Sequence, residues 1–183
     1  AIQGLRDAGL HNGLLPLLDH ILDGKEDSKG ANEFVRIALA NTDQRIQAGK
    51  SVSAGFLFAT LLWPDLLRNW KANSAKGMAN IPALHDAMDD TIAAQSSGMT
   101  IQRRFESDMR EIWSMQPRFE RRVGRYPFRL IESPRFRAGY DFMLLRCATG
   151  ELNPAIGQWW TDFIAADPTG QEELMASVKN VSG

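Results

Sequence analysis

Residues Ser53 to Trp63, SAGFLFATLLW, constrain this chain more than any other stretch. Read as a helix, the run has no polar face, so other elements must enclose it on every side. Ser51 or Ser53 supplies a capping hydroxyl at its start. Pro64 follows and is expected to break or kink the helix, because proline lacks the next N–H donor and its ring crowds the preceding turn. The run is far shorter than the roughly 20 apolar residues needed to cross a bilayer. A rod of this kind belongs at the centre of a helical stack.

The rest of the chain repeats the helical period. Ile2 to Leu10 places Leu5 three residues after Ile2 and stops at Gly9, and Leu14 to Leu22 is a short apolar helix with Pro16 near its start and Gly24 beyond its end. Residues 24–30, GKEDSKG, read as a polar loop. Ala31 to Gly49 is amphipathic, with Asn32 as its expected N-cap, and Leu66 to Ala72 is expected to continue as a shorter helix after Pro64. Ile81 to Gln95 carries Pro82 in its first turn and is closed by residues 96–98, SSG. Met99 to Met115 sets Ile101, Phe105, Met109, Ile112 and Trp113 on one side, and Pro117 ends it. A short helix or turn rich in arginine follows, punctuated by Gly124, Pro127 and Pro134. Arg135 to Ala148 repeats apolar residues at Phe136, Tyr140, Met143, Leu144 and Cys147, and Asn153-Pro154 caps a helix through Phe163. The polar remainder to Gly183 is expected to fray. No strand pattern of useful length occurs, so the expected fold is all-α, an irregular array of roughly eight helices.

Charge divides the chain by sign. The formal net charge is only −1, yet Arg103 to Arg146 holds eleven arginines, no lysine and six acids. That stretch is net +5 and the remainder net −6. Arginine presents a flat fork of donors that matches phosphate or carboxylate and stacks on rings, so a polyanion is the expected partner. Some arginines must pair locally, Glu106 with Arg103 or Arg110 and Arg118 with Glu120, but six acids cannot neutralise eleven cations. Phe119, Tyr126 and Phe128 interleave with the arginines and are candidates for stacking on unpaired bases, although each also fits a packed core.

Chemistry of bond making is not legible. His11, His20 and His85 lie too far apart for metal-ligand spacing, and His85-Asp86 and Asp89-Asp90 read as helix-surface pairs. No phosphate-cradling glycine loop, nucleophile elbow or dinucleotide fingerprint occurs. Cys147 lies on an apolar stripe, where a thiol is a small buried hydrophobe, and a single cysteine suits a reducing compartment. No catalytic residue, metal site or cofactor site is expected in this chain.

Five segments in order, LLPLLDHIL, NTDQRIQAGKSVSAGFLFATLLWP, IQRRFESDMREIWSMQPRF, RRVGRYPFRLIESPRFRAGYDFMLLR and QWWTDF, closely resemble the C-terminal part of the bacterial poly(A) polymerase family, relatives of the CCA-adding nucleotidyltransferases. The resemblance runs from about Leu14 to Phe163, and SPRFRAGYDFMLLR is its most specific string. It implies transfer of AMP from ATP to an RNA 3′-hydroxyl with Mg²⁺ in a nucleotidyltransferase head. The Gly-Ser turn and Asp-x-Asp pair of that head are not in this sequence, and the opening AIQGLRDAGL reads like the end of a helix. The expectation is therefore a helical, non-enzymatic fragment of a cytoplasmic enzyme, without the head and without the basic tail of some relatives. Its expected division is 1–24, the end of a neck-like region; 25–98, a helical body; 99–165, an arginine-rich RNA-binding region; and 166–183, a polar tail. RNA binding is carried over to Arg103, Arg104, Arg110, Arg118, Arg121, Arg122, Arg125, Arg129, Arg135 and Arg137. Arg146 is set apart as a structural partner of Asp141 or Glu151. Two alternatives stand beside RNA: docking of an acidic partner such as an RNA helicase or decay complex, and arginines that only brace helices.

Overall fold

The computed structural model describes residues 29–51, 53–96 and 101–181, and these are helical with no strand among them. Eight α-helices follow one another: α1 Lys29–Gln47, α2 Ala54–Ala75, α3 Asn80–Ser96, α4 Arg103–Met115, α5 Tyr126–Ile131, α6 Phe136–Ala148, α7 Pro154–Ala165 and α8 Pro168–Val181. A short 3₁₀ segment, Gln116–Glu120, lies between α4 and α5. The expected helices at Ile2–Leu10 and Leu14–Leu22, and the turn at 97–98, fall outside the described residues. The chain divides into two compact units, Ala1–Arg110 and Glu111–Gly183.

The first unit is organised round α2, whose Leu57, Ala59, Leu61, Leu62, Trp63 and Leu66 are almost wholly buried. The Ser53 hydroxyl accepts from the Phe56 amide at 3.2 Å, so Ser53 rather than Ser51 is the cap. Pro64 does not end the helix: α2 runs unbroken through it to Ala75. A proline inside a helix costs about 3 kcal/mol, whereas each fully buried large apolar side chain returns about 1.5–3 kcal/mol. Burial on both sides of Pro64 therefore outweighs the missing donor. Helix α1 also departs from expectation, because it already includes Lys29 and Gly30 and so leaves Asn32 inside the helix rather than at its cap.

The turn from α2 to α3 closes as a left-handed C-terminal motif. Gly77 adopts φ 91°, and the Met78 amide donates back to the Asn73 carbonyl at 3.3 Å. Polar pairs then hold the two helices in register. Asn69 Nδ2 donates to Thr91 Oγ1 at 3.1 Å, Asn73 Nδ2 donates to the Ala83 carbonyl at 3.2 Å, and Trp70 Nε1 donates to the Asn80 carbonyl at 3.1 Å. Helix α4 starts at Arg103, later than the expected Met99, and the Gln102 carbonyl takes its first amides.

The second unit is an aromatic cluster wrapped by short helices. Phe119, Trp160 and Phe163 are completely buried, joined by Met115, Leu130, Tyr140, Met143, Leu152 and Trp159. Phe119 and Trp160 meet edge to face at 5.3 Å, and Trp159 stacks on Phe163 at 4.9 Å. Both indole N–H groups find carbonyls, Trp160 at Phe119 (2.8 Å) and Trp159 at Leu174 (3.0 Å). Asn153 caps α7, its Oδ1 accepting from the Ala155 amide at 3.0 Å. Residues 168–181 depart from the expected polar, frayed tail: they form α8, whose Leu174, Met175 and Val178 cover the cluster. Polar composition conceals this helix because only three of its residues are needed to face the aromatic cluster.

Candidate nucleic-acid interface

The arginine stretch is carried by short elements pinned to the aromatic core of the second unit. Phe119 anchors one end through its ring and its carbonyl, while Pro127 and Leu130 are buried at the other. Between them the chain turns at Gly124, with φ 65°. The backbone therefore has fixed ends, and the long arginine side chains project from the segment between.

Burial and pairing sort these arginines by what they hold. Arg146 is structural: only 8% exposed, it donates through Nε to Glu151 at 2.9 Å and through a terminal nitrogen to Gln116 Oε1 at 3.2 Å. The Gln116 amide nitrogen in turn donates to the Ile112 carbonyl at 2.9 Å and the Gly139 carbonyl at 3.3 Å. Arg110 is also committed, bridging Asp89 at 2.8 Å and Glu106 at 3.3 Å within the first unit. That assigns Glu106 to Arg110 rather than Arg103. Arg137 pairs with Asp141 at 3.3 Å, yet its side chain stays 78% exposed. Arg104 lies 4.6 Å from the centre of the Phe105 ring, and Arg135 is exposed beside the start of α6.

A different set keeps its charge uncommitted. Arg103, Arg118, Arg125 and Arg129 are exposed and make no ion pair or side-chain hydrogen bond with another described residue. Arg125 is the N-cap of α5 and Arg129 lies in its last turn, one helical turn apart, so they share a face. Arg121, equally exposed, lies 3.7 Å from the centre of the Tyr126 ring. Arg122 is half-buried, 5.7 Å from the centre of the Trp159 ring, and its Nε is buried without a hydrogen-bond acceptor among the described residues. Burial holds its guanidinium below the ordinary arginine value, and the charge of Glu120 draws it part of the way back.

The three aromatic candidates separate sharply. Phe119 is completely buried, its ring enclosed by Phe136 and Trp160, so it has no face to offer a base. Phe128 packs on Phe163 at 5.4 Å as part of the core margin. Tyr126 alone remains 44% exposed. Sequence spacing could not separate them, because a 3₁₀ turn and a six-residue helix have too little periodicity to mark an inner side. Gln116, the hub of the buried polar network, carried no sequence signal at all.

Two further groups bear on chemistry. Cys147 is half-buried, with Sγ 3.7 Å from Met143 Sδ and from the Asn153 carbonyl, and burial pushes its thiol above the ordinary value. Among the described residues no three His, Cys, Asp or Glu side chains gather as metal ligands. No helix among them is long and apolar enough to cross a membrane.

The chain is similar in sequence to known proteins. Residues 76–183 match the family model described as the polymerase A arginine-rich C-terminus. Over 177 residues the chain is 33% identical to poly(A) polymerase I of Salmonella typhimurium, covering 94% of this chain and 38% of that protein. It is 31% identical over 170 residues to the poly(A) polymerase I of Escherichia coli O157:H7, covering 91% of this chain and 36% of that protein. For the Haemophilus influenzae enzyme the identity is 29% over 173 residues, 93% of this chain and 38% of the relative. The chain thus spans under two-fifths of the length of these curated relatives. The family match covers more than half of the chain and includes the whole arginine-bearing unit, and the protein belongs to the polymerase A arginine-rich C-terminus family.

Proposed function

We propose that this chain is an RNA-holding region of a polyadenylating enzyme, gripping the phosphates behind the 3′ end that receives AMP. One observation carries the reading: Arg118, Arg125 and Arg129 are exposed on the second unit with no acidic partner among the described residues, and among those residues Arg121 contacts only a ring. Arginines that braced helices would be paired, as Arg110 and Arg146 are. Contacts from such groups to phosphate are indifferent to sequence, which suits an enzyme that extends many transcripts. Arg122, Arg135 and Arg137 belong to the same unit and offer further phosphate contacts, as Arg103 and Arg104 do on the first unit.

In this reading the adenylyl transfer, with ATP and Mg²⁺, is the work of a nucleotidyltransferase head in the cytoplasm. The described carboxylates and histidines do not converge as ligands, so no metal-assisted step is assigned to them. The present residues bind and position RNA.

Titration of labelled oligo(A) over a salt series tests the reading. Single-strand binding loses about 0.7 in log K per log salt for each phosphate contact, so four arginines give a slope of about −3. Replacing Arg118, Arg125 and Arg129 together by alanine is expected to flatten the slope by about 2 and leave the melting temperature unchanged. A salt-independent affinity of the intact chain would overturn RNA holding. Salt-sensitive capture of an acidic protein, with no affinity for RNA, would favour a docking module.

A further inference from the structure

Tyr126 has an unusual position for an aromatic residue in this unit. Every tryptophan and phenylalanine of the second unit is at least partly enclosed, whereas the Tyr126 ring is 44% exposed. Its hydroxyl makes no hydrogen bond with a described residue, so the core does not need its polar end. Pro127, buried directly after it, fixes where α5 begins and hence where the ring stands. The Arg121 guanidinium carbon lies 3.7 Å from the ring centre, at van der Waals contact. Arg125 precedes the ring and Arg129 lies one turn beyond, both exposed and without an acidic partner among the described residues.

We propose that Arg121 and Tyr126 form a stacking platform for one unpaired nucleobase, so that this surface selects single-stranded over duplex RNA. The inference rests on the RNA-holding reading and names which form of RNA the site takes. An aromatic ring layered with a guanidinium is a flat, electron-rich and cationic surface suited to the face of any base. Tyrosine brings that surface with two rotatable bonds, so little side-chain freedom is lost when a base settles on it. Arg125 and Arg129 hold the adjoining phosphates while the base lies on the platform. In a duplex both faces of each base are covered by its neighbours, and exposing one costs a few kcal/mol. Phosphate contacts alone would not distinguish the two forms in this way. The preference therefore comes from the ring, and the salt dependence from the arginines.

The intact chain is titrated with fluorescein-labelled oligo(A) and with a duplex RNA of equal length, at one salt concentration and then over a salt series. Tyr126→Ala and Tyr126→Leu are expected to weaken oligo(A) binding about 5- to 160-fold, the range for loss of one base–aromatic stack. Tyr126→Phe and Tyr126→Trp retain a ring and stay within about 2-fold of the parent chain. Duplex binding and the oligo(A) salt slope are unchanged in all four variants. Because leucine keeps apolar bulk but has no ring face, a loss shared by Ala and Leu and rescued by Phe reports stacking rather than folding. If the variants bind oligo(A) as the parent does, or lose duplex and single-strand affinity alike, the platform is overturned while RNA holding stands. If the parent chain binds neither RNA with a salt-dependent affinity, RNA holding itself fails.

Discussion

Arg146 and Cys147 are neighbours on α6 with opposite physical problems, one a charge out of water and the other a thiol kept from ionising. Arg146 is buried with Glu151 and Gln116 as its partners, so removing it takes the ion-pair donor from a half-buried carboxylate and a hydrogen-bond donor from a buried amide oxygen. Arg146→Ala is expected to destabilise the second unit by about 3–5 kcal/mol in urea unfolding monitored by tryptophan fluorescence, the usual cost of breaking a buried pair from one side. Arg125→Ala, on an exposed and unpaired side chain, should change stability by less than about 0.5 kcal/mol. Cys147 has a calculable sign. Its thiol pKa is raised by burial above the ordinary 9.0, so the folded chain keeps a proton that the unfolded chain has released. Its contribution to stability is complete below about pH 9 and is lost as pH climbs through the window above that value. Unfolding free energies measured at pH 8 and pH 10 should therefore fall more steeply for the parent chain than for Cys147→Ala.

Helices show most clearly what a sequence can and cannot declare. The all-apolar run of α2, the apolar stripes of α3 and α6 and the Asn153-Pro154 start of α7 follow from composition, period and cap chemistry, and all four form. Pro64 was legible as a residue that disfavours helix, but whether it ends one depends on the burial of Leu61, Leu62, Trp63 and Leu66, which is a tertiary quantity. Helix α8 was hidden for a related reason, since its few apolar residues gain value only where Trp159 and Phe163 wait beneath them. The arginine surface was legible as charge, but its division into bracing and unpaired groups required coordinates. A Cβ placed on Gly55 would come 2.7 Å from Asp108 Cβ, an atom too near the α4 backbone to swing aside. Gly55→Ala should therefore destabilise the first unit by about 1–3 kcal/mol despite the better helix propensity of alanine, with the melting temperature as the readout.

The molecule as a whole is almost electrically neutral, and so is the second unit alone, with nine basic and nine acidic side chains between Glu111 and Gly183. Net charge therefore supplies no long-range pull on RNA, and the affinity proposed above comes from groups in contact. Stopped-flow measurements should find oligo(A) association near the unsteered range of about 10⁵–10⁷ M⁻¹s⁻¹, with salt acting mainly on dissociation. How those contacts form is set by the anchoring of the arginine segment, held at Phe119 on one side and at Pro127 and Leu130 on the other. Arginine-rich peptides commonly fold as they bind and surrender ordering entropy in doing so. Here the backbone enters the encounter already ordered, so only side-chain freedom is lost. In calorimetry the complex should show a small heat-capacity change, proportionate to the surface covered and lacking the large negative contribution of coupled folding. If RNA binds as proposed, the aromatic cluster acts as an entropy reservoir: the ordering that RNA would otherwise have to drive has been completed during folding.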